Sequence, residues 1–141
     1  REDTSSVTAF VSLKPEAENT VSRLFREKQF VLGSLLNVLC DEMLFQMADA
    51  LTERLQSNLK TERLFISSRL EPGAGLSLND VRRCFSQIAP AFPWASVSEH
   101  GSLFPAKSML YGVVLSPHAC GTGRLHDCSV CPQTDCLYRR V

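Results

Sequence analysis

Four cysteines crowd the last 22 residues in the pattern Cys120-x7-Cys128-x2-Cys131-x4-Cys136. Four thiolates in so short a span can surround one metal centre. Turn formers between them (Gly121, Gly123, Ser129, Pro132) let the chain wrap tightly. A [4Fe–4S] cluster takes four thiolates, and a Cys-x2-Cys with further cysteines nearby can supply them. Zinc takes four tetrahedral ligands, usually as two separate cysteine pairs; here the x2 and x4 spacings share Cys131. His118 and His126 are substitute ligands in that case, or solvated loop residues in the ordinary one. Disulfides or free thiols are the remaining reading. Arg139 and Arg140 follow, and would raise a cluster's potential, dock an acidic donor, or simply form a charged C-terminus.

The second chemistry-bearing stretch is Ser67-Ser68-Arg69-Leu70-Glu71-Pro72-Gly73-Ala74-Gly75. A guanidinium offers a planar fork of donors for a carboxylate or phosphate. The glycines allow close approach to the backbone, and a following helix start adds free N–H groups. The plain alternative is a strand-to-helix turn with a solvated arginine.

These stretches need positioning elements. Residues 7–13 are β-branched and aromatic and read as a strand. Pro15 suits a first helical turn, and Ala17, Val21, Leu24 and Phe25 share a face. Phe30–Leu59 reads as one long helix, with Leu32, Leu36, Leu39, Met43, Met47, Leu51 and Leu55 as its buried stripe and Leu35, Leu44 and Phe45 widening it. Asp41, Glu42, Asp49 and Glu53 then fall on a solvated face. Residues 64–70 form a second strand. Ser77 and Asp80 make a capping-box pair for a helix carrying Val81, Cys84, Phe85 and Ile88, ended by Pro90. Residues 94–99, 102–104 and 109–115 read as strands, with Gly112 marking a bulge or close approach. The expected fold is α+β: a mixed or antiparallel sheet with packed helices, one of them long. Residues 1–116 form that domain and 117–141 a cysteine-rich tail.

Composition narrows the partners. Lys+Arg and Asp+Glu both number 15, so no global charge favours nucleic acid or an anionic membrane. The apolar run at 30–40 is interrupted by Gly33, Ser34 and Asn37 and is expected not to span a bilayer. No basic segment followed by an apolar stretch opens the sequence. Isolated Cys40 and Cys84 in helical patterns, with the other four clustered, favour a cytoplasmic chain with a metal or redox site over a disulfide-built secreted one.

Residues 65–116 resemble the activation (reactivation) domain of cobalamin-dependent methionine synthase. The matching pieces are Arg69-Leu70-Glu71-Pro72-Gly73-Ala74-Gly75, Leu78-Asn79-Asp80-Val81-Arg82-Arg83-Cys84-Phe85, the run from Val97 through Pro105-Ala106-Lys107-Ser108, and Tyr111-Gly112-Val113-Val114. Residues 7–49 resemble more weakly the strand and two helices that precede the motif in stand-alone members. The resemblance implies binding of S-adenosylmethionine, docking on a cobalamin-carrying partner, and methyl donation when an oxidised cobalt is reductively remethylated. It assigns Arg69 to the methionine carboxylate, Pro72, Gly73 and Ala74 to the ligand's bed, and Lys107 and Ser108 to the second matched motif. The family has tyrosine where this chain has Ala74; an aromatic there could stack on adenine or a corrin, and alanine cannot.

No nucleophile–base pair and no phosphate loop is legible. The chain is therefore expected to be an accessory part of a corrinoid methyltransferase system, with an iron–sulfur cluster in its tail passing electrons from a separate donor. The contrasting expectation is a zinc-stabilised interaction module without ligand chemistry. A third is a methionine synthase subunit working with separate homocysteine and cobalamin parts.

Overall fold

The computed structural model of the chain describes residues 5–119, 128–129 and 131–139. The expected elements form in the expected order, with one added strand, β3, where only a turn was expected: β1 (Ser5–Ser12), α1 (Lys14–Arg26), α2 (Phe30–Leu59), β2 (Phe65–Pro72), β3 (Gly75–Leu76), α3 (Leu78–Ile88), β4 (Ser96–Val97), β5 (Leu103–Phe104) and β6 (Ser108–Ser116). The main sheet has the order β1-β6-β2-β3, and β4 and β5 make a separate two-stranded sheet. β6 runs antiparallel to both β1 and β2, while β3 pairs parallel with β2. The fold is thus α+β with a mixed sheet.

α2 covers one face of this sheet. Ala9, Val11, Ile66, Tyr111, Val113 and Leu115 meet Leu44, Ala48 and Leu59 there. The other face carries Leu110 and Phe10, packed with Val81 and Phe85 of α3 and with Val97 and Leu103 of the small sheet. Ser77 caps α3 as expected. Its hydroxyl accepts from the Asp80 N–H at 3.2 Å, and its own N–H donates to the Asp80 carboxylate at 3.1 Å. The Ser77 hydroxyl also donates to the Asp80 carboxylate at 2.6 Å, and this bond first, then the Ser77 N–H, holds the Asp80 carboxyl below its usual range.

Three expectations are corrected. The buried row of α2 is not the leucine–methionine stripe but its neighbour: Gly33, Cys40, Leu44, Ala48, Thr52, Gln56 and Leu59. Leu32, Leu39, Met43, Met47 and Leu51 are exposed; Leu36 and Leu55 are half-buried. The reason is proximity. A helix lies close to a sheet through small residues, and Ala48 sits so near β6 that the Tyr111 hydroxyl donates to its carbonyl at 2.8 Å. The polar members of the row are all partnered. Thr52 Oγ1 lies 2.9 Å from the Tyr111 hydroxyl, and Gln56 Oε1 accepts the Ile66 N–H at 2.8 Å. Polarity in a core row is tolerated when each group finds a partner.

The second correction concerns the bulge. Gly112 pairs regularly with Leu70 and Thr8. The register shifts instead between Ile66 and Ser68, so Ser67 is the extra residue, its hydroxyl donating to the Val114 carbonyl at 3.1 Å. A bulge changes which face the following side chains take. Ile66 pairs with Leu115 and Arg69 with Val113, so both lie on the face under α2.

The reading of residues 30–40 as too interrupted for a membrane span also changes. Taken as one helix, α2 and the 3-10 turn that continues it are long and apolar enough to cross a bilayer, with a hydropathy of 1.3 over 18 residues. In this fold its Leu44–Ala48–Thr52 row is fixed to the sheet.

Candidate functional site

The bulge at Ser67 and the antiparallel pairing of β2 with β6 put Arg69, Glu71 and Met109 on one face and under α2. Arg69 is the centre of the site. Its side chain is 3% exposed, and Nη1 donates to Asp49 Oδ1 of α2 at 2.9 Å. Nε stands 2.9 Å from Glu71 Oε1, an ion-pair distance, but its N–H is not directed at that oxygen and makes no hydrogen bond. Nη2 lies 3.5 Å from the Met109 sulfur, and the guanidinium carbon sits 4.1 Å from the centre of the Tyr111 ring. Two carboxylates, a thioether and an aromatic face therefore surround one buried cation. Asp49, expected on a solvated face, is part of this arrangement.

Above Arg69 opens a pocket of about 210 Å³. Its floor is Asp49, Arg69, Glu71 and Met109, with Phe45 of α2 at one side. Its other wall is the tail: Cys128, Cys131 and Cys136, with Gln133, Tyr138 and Arg139. The two stretches singled out in the sequence, far apart in the chain, thus meet at one place. No disulfide forms among the described residues. Among them, no three His, Cys, Asp or Glu side chains converge as a formed metal cage. Cys120, His126 and Arg140, candidates by sequence, lie outside the described residues, and His118 does not line the pocket.

Tyr138 fastens the tail to α2. Its hydroxyl donates to Asp41 Oδ2 at 2.5 Å, and its ring packs edge-on to Phe45 with centroids 5.2 Å apart. Asp41 also takes Lys107 Nζ at 2.6 Å. The second sequence-predicted motif is therefore built into the same anchor. Ser108 donates to Ser12 at 2.8 Å, and the Lys107 carbonyl accepts the Leu13 N–H at 3.0 Å. Pro72, Gly73 and Ala74 form the tight turn between β2 and β3, where Gly73 has φ +81° and a side chain there would meet open space. Because β2 and β6 are antiparallel, this turn and Lys107–Ser108 lie at the same end of the sheet. They do not line the pocket.

Sequence reasoning missed Asp49, Glu71, Asp41 and Tyr138. The i, i+2 relation of Arg69 and Glu71 on one strand was a usable signal; the other contacts are long-range and had none.

Both tyrosines of the chain titrate high. Burial, above all, raises Tyr111. Tyr138 is pushed up to about 12, chiefly by its bond to Asp41 and then by burial. A raised phenol pKa favours the neutral form in the fold. That contribution is complete below the unfolded value of about 10 and is lost as pH rises through the native value. Ultraviolet titration of the native protein should show Tyr138 ionising near pH 12, in a step that Tyr138→Phe removes, and both tyrosines should return to about pH 10 in urea. If Tyr138→Phe instead removes a step at the ordinary position, Tyr138 is not held by Asp41.

The donor set suits a soft or borderline metal. Three thiols share one pocket with a thioether, with Arg139 beside them, while Arg69 is already matched by Asp49 and Glu71. No protein-family model matches the chain, and a search of curated proteins returns no match.

Proposed function

We propose that this chain is an activation-domain-like accessory protein, cytoplasmic, that supports reductive reactivation or methylation of a corrinoid methyltransferase, methionine synthase being the candidate. The observation that supports it most is the meeting of Cys128, Cys131 and Cys136 with Arg69 in a single pocket. Those three cysteines, with Cys120, are the proposed holders of an iron–sulfur cluster. When bound, such a cluster supplies single electrons at a potential set by its surroundings. The protein's own contribution is environmental. Phe45 and Met109 give the pocket apolar walls, and Arg139 brings positive charge beside the thiolates, Arg69 being already matched by Asp49 and Glu71. A corrinoid-carrying protein is the proposed partner, and a separate electron donor is required.

S-adenosylmethionine remains a proposed ligand through Arg69, with Pro72, Gly73, Ala74, Lys107 and Ser108 as further candidates. A methionine carboxylate reaching Arg69 has to displace Asp49 or Glu71, which already hold it.

The second reading is a zinc-stabilised interaction module. The anchoring of the tail by Tyr138 to Asp41 and Phe45 favours it, since that is what a purely structural metal site would secure. Anaerobic purification of the full chain with iron, sulfide and zinc analysis and a visible spectrum separates the two. Iron and sulfide with a brown colour are expected. A colourless protein holding one zinc would sink the electron-transfer role.

A further inference from the structure

Asp41, Phe45 and Asp49 follow one another at four-residue spacing on α2, so they lie along one line of the helix. All three serve the pocket or its wall. Asp49 holds Arg69 in the floor, Phe45 lines one side, and Asp41 accepts the Tyr138 hydroxyl at 2.5 Å. The Tyr138 ring meets Phe45 edge-on, with centroids 5.2 Å apart. Asp41 is itself fixed, because Lys107 Nζ stands 2.6 Å away. In the tail from 132 to 139, Cys136, Tyr138 and Arg139 are half-buried, while Leu137 between them is exposed.

Two further bonds close the chain around Cys136. The Arg139 backbone N–H donates to the Cys136 carbonyl at 3.1 Å, and Arg139 Nη1 donates to the Gln133 carbonyl at 3.1 Å. Cys136 is thus held in the pocket wall by its own turn and, two residues on, by the bond from Tyr138 to α2. Cys128 and Cys131 share that wall, yet among the described residues no three ligand side chains converge. A metal has to gather its thiolates, and ordering each segment costs conformational entropy. A thiolate already held in place lowers that cost. Groups that orient a ligand without touching the metal change affinity by about ten- to a hundredfold.

We propose that Tyr138 and Asp41 are positioning residues for the metal site: together they hold Cys136 over the pocket and so set how tightly the tail binds metal. This rests on the reading of the tail as a thiolate site. Cobalt(II) titration of the reduced, metal-free full chain tests it. The thiolate-to-cobalt charge-transfer band reports occupancy, and a competing chelator sets the affinity. Tyr138→Phe keeps the ring on Phe45 and removes only the hydroxyl. It should weaken cobalt binding about tenfold, with the band per bound cobalt and the circular dichroism unchanged. Asp41→Asn keeps an acceptor for that hydroxyl and should weaken binding less. The loss should vanish when Cys136→Ser is already present and persist beside Cys128→Ser, because the bond acts through Cys136. Equal cobalt affinity in the wild-type and Tyr138→Phe chains overturns the proposal and leaves the thiolate site standing. So does a loss that Cys136→Ser does not diminish. A wild-type chain that gives no charge-transfer band overturns the thiolate reading and this proposal together.

Discussion

Replacing Arg69 by methionine is expected to lower the unfolding free energy by about 3–5 kcal/mol, the usual cost of removing one partner from a buried ion pair. Arg69 is 3% exposed and stands between Asp49 and Glu71, each at 2.9 Å. Methionine keeps much of the volume, so the loss reports charge rather than a cavity. It strands two carboxylates beside each other and removes the cation from the Tyr111 ring. Adding Asp49→Asn and Glu71→Gln should recover most of the loss, because a fully neutral buried site is far less costly than a broken pair. Arg23→Ala, which breaks an exposed pair on α1, should cost less than about 1 kcal/mol. Urea unfolding of the four chains measures all of this. A loss under about 1 kcal/mol for Arg69→Met, or a triple variant weaker than the single one, would mean the cluster does not bind α2 to β2.

Cys131→Ser should be the most damaging change in the tail. Cys131 is shared by the x2 and x4 spacings and lies in the pocket wall with Cys128 and Cys136. Metal binding to thiolates and ordering of the chain around them are coupled. Bound metal per chain, measured after anaerobic purification, should therefore fall at least about tenfold. Serine at Cys84, on the α3 face and away from the pocket, should leave it unchanged. If Cys131→Ser keeps the wild-type metal content, the tail is not a thiolate site and the iron–sulfur and zinc readings both fail.

Much of the fold was legible because its signals are local. Ser77 and Asp80 named the start of α3, and the length of the apolar periodicity gave α2 its correct extent. What failed was the choice between two interleaved rows on that helix. Leu39, Met43, Met47 and Leu51 each precede by one position Cys40, Leu44, Ala48 or Thr52 of the buried row. Hydrophobicity favours the first row. Close approach to β6 and the hydrogen-bond partners of Thr52 and Gln56 select the second, and these are properties of the sheet, not of the helix. The site was half legible for the same reason. Arg69 and the cysteines announce themselves by type and spacing. That Asp49 and Glu71 hold the arginine, and that Tyr138 ties the tail to Asp41, depends on long-range pairing that no local pattern encodes.

The extra residue at Ser67 acts as a parity switch for everything after it on β2. With it, Arg69 and Glu71 face α2 and the cysteines, and Leu70 faces Gly112 on the α3 side. A chain one residue shorter at that point would hand Leu70 to the pocket and drive a guanidinium toward the apolar layer of Phe85 and Leu110. The pocket's polarity is therefore decided by a count of residues along one strand. Insertions and deletions within 65–68 should be tolerated far less than substitutions at Ser67 itself, and a homologue that lacks the extra residue should also lack the arginine.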